Sequence, residues 1–67
     1  MSTTSDLALL SSIGAQLEEL GGRITEMAER YGTTPDSALA NELYNAERSL
    51  IGAVRALDRA RNFLQES

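Results

Sequence analysis

The chain has 67 residues, ten acidic against six basic side chains, a formal net charge of −4, and neither histidine nor cysteine. That composition excludes disulfides, thiolate chemistry, the common nucleophile–base pairs and nearly every structural zinc arrangement, and the acidic balance opposes non-specific binding to nucleic acid or anionic lipid. So short a chain makes one domain, residues 1–67, which buries only about 60% of its unfolded surface; oligomerisation is the stabiliser that remains.

Residues 1–6 carry no basic side chain, so the n-region of a secretory leader is missing. The longest apolar run nearby, residues 7–10, is far short of a membrane span. These features predict a cytoplasmic chain with no membrane contact. Residues 1–4 are expected to fray, with Thr4 or Ser5 capping a first helix and Asp6 suiting the positive end of its dipole. Leu10, Ile13, Leu17, Leu20, Ile24, Met27 and Tyr31 then recur at intervals of three and four, the spacing of one helix face. They assign Leu10, Leu17, Ile24 and Tyr31 to a, and Ile13, Leu20 and Met27 to d, of a heptad. Gly14, Gly21 and Gly22 oppose this helix by about 1 kcal/mol each relative to alanine. The heptad still crosses Gly21-Gly22 without a stutter, and Glu19 and Arg23 are spaced to pair across it. One continuous helix over residues 5–31 is therefore expected.

Gly32 stands where a left-handed residue ends a helix. Thr34-Pro35-Asp36 reads as N-cap, proline at the first helical position and an acid in the first turn. A connection of about three residues forces antiparallel neighbours. In the second helix, over residues 35–65, leucine takes every a position (Leu43, Leu50, Leu57, Leu64) and alanine every d position (Ala46, Ala53, Ala60). Residues 66–67 are expected to fray.

Folding this pair as an antiparallel hairpin with an a/d seam gives large–large layers, Met27–Leu43, Leu20–Leu50 and Ile13–Leu57. They alternate with the large–small layers Ile24–Ala46, Leu17–Ala53 and Leu10–Ala60, an alternation that lets helices interdigitate. One flank then closes over Arg30–Glu42 and Leu9–Phe63. The other is left with Gly14, Ala28, Ala40, Glu47 and Val54 at e, beside Tyr44 and Ile51 at b. This second flank is the expected oligomer interface, because contiguous exposed apolar surface marks interaction sites; scattered surface apolars are the plainer explanation for Tyr44 and Ile51. Glu47 is placed to pair with Arg48 or Arg61 of a second chain. A two-fold dimer would complete a four-helix bundle. The fold class is thus all-α: a two-helix hairpin with coiled-coil packing that dimerises.

Glu18, Glu19, Glu26 and Glu29 point outward as a solvated face, and no Glu-x-x-His pair is present for a di-iron bundle. No catalytic residue, metal ligand set or cofactor is assigned. Arg48, Arg55 and Arg59, extended by Asn45 and Asn62, form an outward stripe that could contact a partner's carboxylates or phosphates. Asp58 interrupts it, and aromatic stacking residues are lacking. The expected function is a small non-enzymatic protein-interaction module, a homodimeric hairpin acting as adaptor or regulator of another protein. A subunit of a heteromeric helical assembly, and an RNA- or DNA-binding bundle using the arginine stripe, are the alternatives.

Overall fold

The computed structural model describes residues 3–32 and 37–66. Two helices, α1 (Thr3–Tyr31) and α2 (Ser37–Glu66), pack against each other as a hairpin, a rod of 51 × 14 × 12 Å. The capping role assigned to Thr34 and Pro35, and the fraying of Met1, Ser2 and Ser67, fall outside the described residues. Thr3, Thr4 and Glu66 belong to the helices, so fraying does not reach them, and Ser5 lies inside α1 rather than at its cap.

α1 runs unbroken through Gly21 and Gly22, as the uninterrupted heptad requires. It ends at Tyr31, one residue before Gly32, where a stop is expected. The conformation at Gly32 differs, however. Among the described residues no glycine has a positive φ, so Gly32 is not a left-handed cap. A Cβ there would lie 3.7 Å from the Ala28 carbonyl oxygen and 3.8 Å from that of Glu29, ordinary contact distances. Glycine is compatible with this turn but not demanded by it.

The seam itself is rotated from the expected one. Ala28 and Ala40 are 0% and 3% exposed, and Gly21 is buried with them, all three at e. Leu7, Leu10, Gly14, Leu17 and Ile24 on α1, and Leu43, Glu47, Leu50, Val54, Leu57, Arg61 and Leu64 on α2, are half-buried. Both sets alternate by three and four, and both are a/e sets. The d positions divide: Leu20 is 44%, Met27 38% and Leu39 41% exposed and Ala46 is exposed, while Ile13, Ala53 and Ala60 are half-buried at the edge of the seam. At 100° per residue, exchanging d for e turns the contact face by about 50°, as over residues 20–28 of α1, where Gly21 and Ala28 are buried and Leu20 and Met27 exposed. The large–large layers Met27–Leu43 and Leu20–Leu50 are therefore not the centre of the hairpin.

On α1 the physical reason is the small size of the e residues Gly14, Gly21 and Ala28 beside bulky Leu20 and Met27 at d. Two helices without further cover bury only a narrow stripe, and that stripe is best packed where small side chains let the backbones approach. A Cβ built on Gly21 would lie 4.0 Å from Leu50 Cδ1, so Leu50 fills the space that the glycine leaves. Carried along both helices by the heptad, that pairing sets Ala28 level with Leu43 and Gly14 level with Leu57. Gly21 thus receives a leucine of the hairpin's own, whereas a Cβ built on Gly14 meets nothing within 4 Å.

Candidate interaction surface

The rotated seam relocates the apolar surface. Of the residues expected to stay wet and form an oligomer interface, Ala28 and Ala40 are inside the hairpin, and Gly14, Tyr44, Glu47 and Val54 are half-buried. Ile51 alone of that set is a large exposed apolar side chain, at 41%. Of the small e residues of α1, Gly21 and Ala28 are enclosed within the chain, while a Cβ built on Gly14 would meet nothing within 4 Å.

Large exposed apolar side chains collect on the other flank. Leu20 and Met27 of α1 and Leu39 of α2, all at d, lie exposed there, as do Leu9 and Phe63, both at g near the open end. In an antiparallel pair the d and g sides of both helices share one face, so these five belong together, and Ile51 stands apart on the opposite face. This is the flank expected to be closed by Arg30–Glu42. Glu42 instead accepts a hydrogen bond from Asn45 Nδ2 on its own helix at 3.2 Å.

On the outer side of α2, Arg48, Arg55 and Arg59 are exposed, as are Asn45 and Asn62. Arg48 donates to Asn45 Oδ1, and Ser49 Oγ donates to the Asn45 backbone carbonyl at 3.1 Å. Asn45 thus joins Glu42 and Arg48 in one local network. This ties Arg48 to a neighbour on its own helix, while it remains an exposed cation of the stripe beside Arg55 and Arg59. Arg61 lies on the seam, and its Nε is enclosed with no hydrogen-bond partner, while the stem of such a side chain can cover apolar surface.

Among the described residues no group of three or more acidic side chains is gathered that could hold a metal ion, and no helix is long and apolar enough to cross a membrane. The d-face exposure is the feature that reading the sequence missed. It was detectable as a stripe of small residues at e (Gly14, Gly21, Ala28) running beside a stripe of large ones at d. No protein-family model matches the chain, and no curated protein or solved structure shows significant similarity to it.

Proposed function

We propose that this chain is a non-enzymatic protein-interaction module, a homodimer of helical hairpins that acts as adaptor or regulator of another protein. One observation supports this above the rest: among the described residues the fully buried side chains are two alanines, while leucine and methionine stay exposed along one flank. Such a hairpin completes its apolar burial only against a partner. Assembly through that flank leaves the outer side of α2 accessible, where Arg55 and Arg59 suit a partner's carboxylates in bidentate geometry.

The test has two parts. Light scattering across the micromolar range should give a dimeric mass. Wild-type protein and the double variant R55E/R59E, each immobilised, should then be compared for capture from the source cell. Capture of the same protein by wild type, with loss in the dimeric double variant, supports the adaptor reading; equal capture by both, or none by either, overturns it. Low helicity of the isolated chain, restored by a co-expressed neighbour, would replace the homodimer with a heteromeric bundle. Binding of RNA or DNA at about 50 mM salt that falls steeply as salt is raised would assign the stripe to phosphates.

A further inference from the structure

The exposed flank is not uniform across its width. Along α1 it carries the exposed bulky d residues Leu20 and Met27, with half-buried Ile13 one heptad before them. Along the middle of α2 the same flank carries Ala46, Ala53 and Ala60 at d, the last two half-buried, and Ser49 and Ala56 at g, between the bulkier Leu39 and Phe63 near its ends. One hairpin therefore presents a ridge beside a trough. An open depression on α1 between Leu20 and Met27, edged by Arg23 and Arg30, divides the ridge into separate knobs.

The area left open matches a partner of defined size. One face of the rod, 51 Å by 14 Å, spans on the order of 700 Å², close to the roughly 800 Å² that each partner contributes to an interface of standard size.

We propose that a second copy of this chain docks on the flank face to face, about a two-fold axis parallel to the helices. Each α1 ridge then lies in the α2 trough of the other copy, with both turns at the same end. This arrangement presupposes the homodimer proposed above and adds its face and its axis. Because the axis runs along the helices, every residue keeps its level. Gly21 is level with Leu50 within a hairpin, so Leu20 comes level with Ser49 and Ala53 of the second copy. Met27 comes level with Ala46 and the stem of Glu42, and Ile13 with Ala56 and Ala60. At the rim, Arg30 comes level with Glu42 of the second copy, a pairing of opposite charge. A two-fold axis perpendicular to the helices would instead set ridge on ridge and trough on trough, and would bring Met27 to Leu9. The four helices would then be wedged apart along one side, against the close packing that interiors reach.

The chain has no cysteine, so cysteine pairs report without background. Equimolar mixtures of Met27→Cys and Ala46→Cys chains, oxidised under mild conditions, should form a disulfide-linked heterodimer, since linkage needs Cβ atoms about 3.5–4.5 Å apart. Both positions are exposed in the single chain, so neither substitution disturbs the seam. On unmodified protein, light scattering should give twice the 7.2 kDa of one chain. Leu20→Glu should weaken the dimer dissociation constant on the order of 30-fold or more, as for a buried hot-spot residue, and Ile51→Glu should leave it unchanged. A dimer in which Met27→Cys links to Leu9→Cys, in which Ile51→Cys chains link to one another, or in which Met27→Cys and Ala46→Cys fail to link overturns this face and axis and leaves the homodimer standing. A helical monomer at hundreds of micromolar overturns both.

Discussion

Replacing Gly22 by alanine should raise the thermal midpoint of the protein. Gly22 lies inside the continuous helix α1 with an ordinary φ, it is exposed, and a Cβ built on it meets nothing within 4 Å. The substitution therefore adds helix propensity and little else, a gain of about 0.8–1.0 kcal/mol per chain. For a unit of this size each kcal/mol corresponds to roughly 4–8 °C. In a dimer the gain counts twice, but so does the entropy of unfolding, and the shift in midpoint stays the same. The assay is a circular-dichroism melt at one fixed chain concentration, because the midpoint of an associating protein depends on concentration. Gly21→Ala should gain at least as much, since its methyl group would meet Leu50 Cδ1 at 4.0 Å. Gly21→Leu should lose about 1–3 kcal/mol by overfilling the same space. A lower midpoint for Gly22→Ala would refute the reasoning, because it would mean that the glycine pair serves a bend that alanine opposes.

Ala28→Leu should destabilise by about 1–3 kcal/mol in urea unfolding, because Ala28 is fully enclosed and added carbon must push the helices apart. Arg61→Leu should stabilise by about 1–2 kcal/mol in the same assay, since it removes an enclosed donor without a partner and extends the apolar seam beside Leu64. Asn45→Ala should change stability by less than about 0.5 kcal/mol, because its hydrogen bonds to Glu42 and Arg48 are on the exposed surface.

The helices were readable from the recurrence of leucine and isoleucine, and their continuity past Gly21-Gly22 from a heptad that keeps its count there. Choosing between d and e as the partner of the a stripe was not settled by spacing, because a/d and a/e rows alternate by three and four alike. Side-chain volume decided it: Gly21, Ala28 and Ala40 let the axes come close, and bulky Leu20 and Met27 were displaced to the flank. Ala28 and Ala40 of the expected interface are enclosed for the same reason: they looked vacant only on the assumption that Met27 and Leu20 already filled the seam. At Gly32, composition pointed to a left-handed cap, and the backbone found another way to end the helix.

Among the described residues no large side chain is fully buried, and this has a consequence for how the protein would behave in a cell. In the homodimer proposed above, a chain whose leucines are covered only halfway by its own second helix would gain much of its stability at the moment of association, so folding and assembly would become one event governed by mass action. At low synthesis the unpaired chain would be a substrate for proteolysis; above its dissociation constant the same chain would be protected. The amount of working protein would then rise more steeply than the amount made, with the thin seam of the hairpin setting the threshold.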